Sequence, residues 1–217
     1  MVIDKDSYGT IATTVGLAIL LAWLIVWLLP IKWIAYILAC FLAAFCCFVV
    51  WFHRVPDRTR PEDPSLVTSV ADGKVVIVEK TYEKEYLKRE CIQVSIYMDF
   101  FDVHTNFWPV DGEISYYKYH PGKYVLAFLP KASEKNEHAS TCILTPKGEV
   151  AFKQIAGTFA RRIVCYSKKG MKVKAGKQLG IIKFGSRIDM YLPLDAEILV
   201  KVGDFTRAVE TPIARLA

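Results

Sequence analysis

The sequence predicts a mainly β fold: a compact barrel-like or sandwich domain carried behind an N-terminal transmembrane helical hairpin. Three observations predict it. Two uncharged apolar runs open the chain, a proline-rich charged stretch follows, and the rest alternates short Val-, Ile-, Tyr- and Phe-rich runs with glycine turns. The organisation expected is a membrane-anchoring hairpin over 1–52, a linker over 53–65 and a β domain over 66–217.

The apolar runs cover 11–29 and 33–52, with only Pro30, Ile31 and Lys32 between them. About 20 apolar residues suffice to cross a ~30 Å hydrocarbon core as a helix. A secretory signal would be single and followed by a small-residue cleavage site, and neither holds here. His53, Arg54, Arg58 and Arg60 follow the second run, whereas the turn carries only Lys32. The positive-inside rule then puts the C-terminal domain in the cytoplasm, against the cell (inner) membrane.

Lys5 and Lys32 balance Asp4 and Asp6, so the net charge of +6 belongs to the region after Phe52. Basic charge beside a bilayer is drawn to anionic headgroups by about 1 kcal/mol per residue. The basic residues are dispersed and accompany no nucleic-acid-binding motif, so no nucleic acid partner is expected. The six cysteines show no C-x-x-C spacing and read as buried hydrophobes in a reducing compartment.

Pro56, Pro61 and Pro64 make 53–65 an extended linker rather than helix or strand. Alternating runs then predict strands over 74–79, 92–97, 113–119, 124–128, 140–144, 149–155, 163–166, 177–183, 187–192 and 196–200. The charged stretch 82–90 reads as a short helix. Long crossover helices are missing, which argues against a parallel α/β sheet. Ala71-Asp72-Gly73 and Val110-Asp111-Gly112 read as Asp-Gly strand entries.

Little in the sequence offers chemistry. His53, His104, His120 and His138 are scattered, with no carboxylate at helical spacing, so no metal site is expected. No phosphate loop or dinucleotide fingerprint is present, and Ser186 lacks a G-x-S-x-G elbow. Met171-Lys172 sits in a hairpin-like context, yet Val173 stands where a carrier domain would have a second methionine. What remains is Ser186, after Gly185 at a chain reversal between two strand-like runs, with Asp72 and His104 as possible helpers. Alone, Asp72 is a turn residue and His104 a satisfied polar residue. Arg187, Asp189 and Tyr191 alternate along one strand and share a face, either lining the site or forming its solvated side.

Several motifs occur together in order: Phe52-His53-Arg54-Val55-Pro56, Ala71-Asp72-Gly73-Lys74-Val75, Asp102-Val103-His104-Thr105-Asn106-Phe107-Trp108-Pro109-Val110-Asp111-Gly112, and Gly176-Lys177-Gln178-Leu179-Gly180 leading into Phe184-Gly185-Ser186. This series resembles the phosphatidylserine decarboxylases, in their short bacterial and archaeal form. The resemblance implies self-cleavage between Gly185 and Ser186, giving a large β chain and a small α chain that remain together. It implies that Ser186 becomes a covalent pyruvoyl group, which forms a Schiff base with the amine of phosphatidylserine and drives decarboxylation to phosphatidylethanolamine. His104 and Asp72 are the candidate bases for that processing. Longer members of the family carry a second histidine where this chain has Phe107. The other readings are a non-catalytic membrane-tethered β-barrel carrier or adaptor, and a serine hydrolase built on Ser186, His104 and Asp72.

Overall fold

The computed structural model describes residues 1–123, 136–157, 163–183 and 186–217. The strand expected over 124–128 therefore lies outside the described residues, as do Phe184 and Gly185. The chain forms two compact units, Met1–Asp57 and Arg58–Ala217, and the division between them falls inside the stretch expected to be a linker.

The first unit holds strand β1 (Val2–Ile3), helices α1 (Tyr8–Leu28) and α2 (Lys32–Phe52), and strand β2 (Arg54–Val55). Each helix has 21 residues, about 30 Å at 1.5 Å per residue, the thickness of a hydrocarbon core. Apolar side chains face outward all round, including the stacked pair Trp23 and Trp27. Ala18, Ala22, Ala39 and Ala43 line the seam between the helices, where small side chains let two backbones approach. Pro30 ends the first helix, and Lys32 Nζ donates to the Val26 carbonyl at 2.6 Å, covering a carbonyl of its last turn. Contrary to the expected extended linker, Arg54 and Val55 form a strand paired antiparallel with Val2 and Ile3. Pro56 drives the residue before it into extended geometry, and the extended backbone finds its partners on β1.

The second unit contains β3 (Leu66–Thr68), β4 (Gly73–Glu83), β5 (Arg89–Met98), β6 (Thr105–Phe107), β7 (Gly112–His120), β8 (His138–Thr145) and β9 (Gly148–Ala156). It continues with β10 (Ile163–Cys165), β11 (Lys172–Val173), β12 (Gln178–Ile182), β13 (Ser186–Leu192), β14 (Glu197–Ile198), β15 (Phe205–Thr206) and β16 (Pro212–Arg215). The mainly β expectation holds. Among the described residues, eight strands form one antiparallel sheet in the order β11-β7-β8-β9-β13-β5-β4-β15, curled into a half-barrel. Two three-stranded sheets, β10-β12-β6 and β14-β16-β3, complete the unit. Register shifts at Val75/Ile77 and Ile114/Tyr116 mark irregularities of the kind that bend a sheet.

Inward-facing residues of the large sheet, among them Val94, Ile96, Phe152, Ile188, Met190 and Leu192, pack with Leu179, Ile182, Val67 and Ile213 of the smaller sheets into one buried core. Trp108 meets Phe152 edge-on, with centroids 6.3 Å apart.

The helix expected over 82–90 is a β-hairpin instead, with β4 ending at Glu83, β5 beginning at Arg89 and a turn between them. The Glu83 carboxylate accepts the backbone N–H groups of Glu85, Tyr86 and Leu87, and Lys88 takes a positive φ of 48°. A buried side chain thus supplies the acceptors that helical carbonyls would have supplied.

Gly73 opens β4 at φ 144°, and a Cβ there would lie 2.2 Å from the Tyr97 carbonyl oxygen of β5. Gly73→Ala must push the two strands apart or break their ladder. It should lower unfolding stability by about 3 kcal/mol, from steric overpacking added to an unfavourable φ. The shift of the chemical denaturation midpoint measures this, and an unshifted midpoint would show that the close approach is not needed.

Candidate active site

Strand alternation gathers one set of termini at one end of the large sheet. Ser186, the first residue of β13, pairs with Met98 at the end of β5 and with Ala156 at the end of β9. Lys74 pairs with Tyr97, so Asp72, two residues earlier, lies at this same end. His104 immediately precedes β6, and its carbonyl accepts the N–H of Ile182 at 3.2 Å, four residues before Ser186.

Ser186 is fully buried. It shares the core face of β13 with Ile188, Met190 and Leu192, because side chains two apart point the same way. Its Oγ has no hydrogen-bond partner among the described residues. An unpaired buried hydroxyl costs on the order of 1–3 kcal/mol.

Buried amides surround that end of the sheet. Gln154 stands opposite Ile188 and donates from Nε2 to Asn106 Oδ1 at 2.8 Å, leaving its own Oε1 unpartnered among the described residues. Asn106 Nδ2 points to Met98 Sδ at 3.8 Å, a weak acceptor. Asn136 Nδ2 donates to the Ala156 carbonyl at 2.7 Å, on the residue paired with Ser186. Gln154 and Asn136 were not among the residues the sequence singled out. The signal for Gln154 was present, since Val150, Phe152 and Gln154 alternate inward and only the last is polar.

His104 is fully buried, with Nδ1 2.9 Å from the Asp102 carbonyl. A carbonyl only accepts, so Nδ1 carries a proton.

Asp72 is held by Arg58 and by the backbone of Ala208. Its carboxylate takes a two-pronged contact from Arg58, with Nη2 2.7 Å from Oδ2 and a second contact from Nη1 to Oδ1, and it accepts the Ala208 N–H at 2.8 Å. Burial works against the Arg58 charge, yet the hydrogen bond and charge of Asp72 more than offset it and raise the guanidinium above its ordinary value. Asp72 makes no hydrogen bond to His104 or Ser186 among the described residues. Phe107 is buried and contributes packing only.

Arg187, Asp189 and Tyr191 face away from Ser186, and all three are buried rather than solvated. Arg187 Nε lies 2.5 Å from Asp189 Oδ1, and its Nη2 reaches Asp189 Oδ2 and Ser95 Oγ. Burial, then the charge of Asp189, pushes the Tyr191 hydroxyl well above its usual range.

The comparisons with known proteins point one way. Residues 45–214 match the family model described as phosphatidylserine decarboxylase. A phosphatidylserine decarboxylase proenzyme of Amoebophilus asiaticus is 47% identical over 171 residues, covering 78% of this chain and 76% of that protein. One of Parabacteroides distasonis is 43% identical over 171 residues, covering 78% of both chains. A third, from Cytophaga hutchinsonii, is 39% identical over 217 residues, 99% of this chain and 98% of its own. A family match across most of the β unit, joined to this identity over nearly the full length, establishes that the chain belongs to the phosphatidylserine decarboxylase family.

Proposed function

We propose that this chain is a membrane-anchored proenzyme that decarboxylates phosphatidylserine to phosphatidylethanolamine, using a pyruvoyl group made from its own Ser186. The observation that carries the reading is the buried Ser186 hydroxyl, without a partner among the described residues, at the start of a central strand, on the element following a histidine-linked segment. Those surroundings suit the first step: the shift of the acyl group from nitrogen to oxygen is intramolecular and consumes no reagent, and water is needed only later, to release ammonia.

In the proposed processing, His104 Nε2 takes the Ser186 hydroxyl proton and Oγ attacks the Gly185 carbonyl carbon. The peptide C–N bond breaks and an ester forms in its place. Removal of the Ser186 α-proton expels the Gly185 carboxylate, and water then releases ammonia from the dehydroalanine left behind. The products are a β chain ending at Gly185 and a small α chain, held together by the pairing of β13 with β5 and β9. The pyruvoyl group, once made, supplies the electron sink that accepts density as the substrate loses CO₂. Asn106, whose Nδ2 meets only a thioether acceptor among the described residues, is available to donate to a developing negative charge. Asp72 positions the β4 terminus through Arg58, and this is its role in the reading.

In this reading the apolar helices anchor the domain to a membrane, and the basic flank supports an orientation with the domain on the cytoplasmic face. The anionic lipid substrate then reaches a basic domain without leaving the bilayer.

Intact-mass measurement of the purified protein should give two chains, the smaller blocked to amine chemistry and lighter by one ammonia than hydrolysis would leave it. Ser186→Ala should remain one chain and be inactive. Efficient cleavage of that variant would overturn the pyruvoyl assignment.

His104→Ala should slow processing by roughly 10²–10⁴-fold, the usual cost of losing a general base and more than the stability lost with its buried ring explains. Arg58→Leu should lower the unfolding midpoint and leave processing of the folded protein nearly unaltered. Its ion pair with Asp72 has side-chain exposures of only 4% and 13%, and stranding a buried charge costs about 3–5 kcal/mol. Time courses of precursor loss, set beside denaturation curves for both variants, separate the two roles. Normal processing by His104→Ala would remove the histidine from the reaction.

A further inference from the structure

The sheet face opposite Ser186 carries a second constellation, one that strand pairing assembles. His120 of β7 and His138 of β8 are direct cross-strand partners, and their rings stack with centroids 4.4 Å apart and planes within 15°. Glu85, on the turn between β4 and β5, reaches the pair and brings Oε1 to 2.6 Å from His120 Nε2. One ligand-capable atom from each of Glu85, His120 and His138 lies within 4.8 Å of the other two.

The surroundings orient these groups as they would for a metal. His138 Nδ1 lies 2.7 Å from the Asn136 carbonyl, which can only accept, so Nδ1 holds the ring proton and Nε2 keeps its lone pair. An imidazole fixed through its other nitrogen by a carbonyl is the usual outer support of a metal-binding histidine. Burial, its largest cause, shifts His138 toward the neutral form. On Glu85, Ser140 Oγ at 2.8 Å and Lys153 Nζ at 3.1 Å both contact Oε2, which leaves Oε1 turned to the imidazoles and to Tyr116. Lys153 is shared with Glu83 at 3.1 Å, so its charge is already countered on the far side. A cavity of about 430 Å³ borders Glu85, His120, His138 and Lys153, giving an entry path and room for a water ligand.

We propose that Glu85, His120 and His138 form a binding site for a divalent transition-metal ion of the zinc type, with a fourth position open to the cavity. Two imidazole nitrogens and one carboxylate oxygen favour such an ion over calcium or magnesium, which take oxygen ligands. Bonds of about 2.0–2.1 Å put ligand atoms roughly 3.3 Å apart. The 2.6 Å contact must open and the widest separation must close, both by side-chain rotation beside the cavity. Binding through Nε2 of His120 requires that nitrogen to give up its contact with Glu85 and present its lone pair to the ion. The ion would pin the β4–β5 turn to β7 and β8. This site is independent of the decarboxylation reading, because its side chains stand on the other face of the sheet from Ser186.

The test is titration of the purified full-length chain in detergent with Co²⁺ alone, read by visible absorption and followed by competition with Zn²⁺. The expected result is one equivalent bound with the absorption of a four-coordinate nitrogen–oxygen site, displaced by one equivalent of Zn²⁺. His120→Ala and His138→Gln should weaken uptake at least about 100-fold, and Ser140→Ala, which frees the carboxylate, about 10-fold. Far-UV circular dichroism without metal shows whether each variant folds, and the stoichiometry and spectrum of the unaltered protein stand without them. No saturable uptake by that protein would overturn the site. So would unaltered uptake in both folded histidine variants, or a sulfur charge-transfer band showing that cysteines bind the ion.

Discussion

Strand β13 is hydrogen-bonded along both edges and buried on both faces, and the second unit is organised around that constraint. A strand so enclosed has its register fixed, because a slip of one residue would exchange its two faces. The faces are unlike. One carries Ser186, Ile188, Met190 and Leu192 into the apolar core, and the other carries the Arg187–Asp189 ion pair and Tyr191, which packs in a smaller cluster with Cys91, Cys142 and Ala151. Fixing the register therefore fixes where the Ser186 hydroxyl points, the buried serine hydroxyl left without a partner among the described residues.

Two buried ion pairs hold this arrangement, and neither is a source of large net stability. Taking both charges out of water offsets most of their attraction, so what such pairs provide is a definite geometry that is expensive to leave half-made. Arg187 and Asp189 are two apart on β13 and close on each other on the face opposite Ser186. Arg58 and Asp72 join the start of the β unit to the turn before β4, and the Ala208 amide fixes the remaining carboxylate direction. Gly73 follows directly, and its lack of a side chain lets β4 meet Tyr97 at backbone distance. Ion pair and glycine together set the end of the sheet at which Ser186 lies.

The proposed processing fits a sealed core better than an open cleft. An intramolecular shift from nitrogen to oxygen needs a nucleophile, a neighbouring carbonyl and a base, and exclusion of water protects its intermediates from hydrolysis. His104 is buried with its proton committed to Asp102, and the amides of Asn106 and Gln154 are linked on the same core side. Such a site supports chemistry on the chain itself before any substrate is present.

The sequence by itself determined the apolar hairpin, the β class and most strand positions, because hydrophobic length and period-two alternation are local properties. It also singled out Ser186, His104 and Asp72, through motifs whose order along the chain carried the resemblance. It misjudged 82–90, where charge spacing suited a helix but the Glu83 carboxylate, buried only in the fold, closes a hairpin turn. Only the tertiary structure decided that Asp72 pairs with Arg58, fourteen residues earlier, and not with His104. The same holds for His120, His138 and Glu85, which look scattered in sequence and meet because β7 pairs with β8 and the β4–β5 turn reaches them. Alternation tells which side chains share a face of one strand. Which strands lie beside it depends on long-range pairing, and no local pattern encodes that.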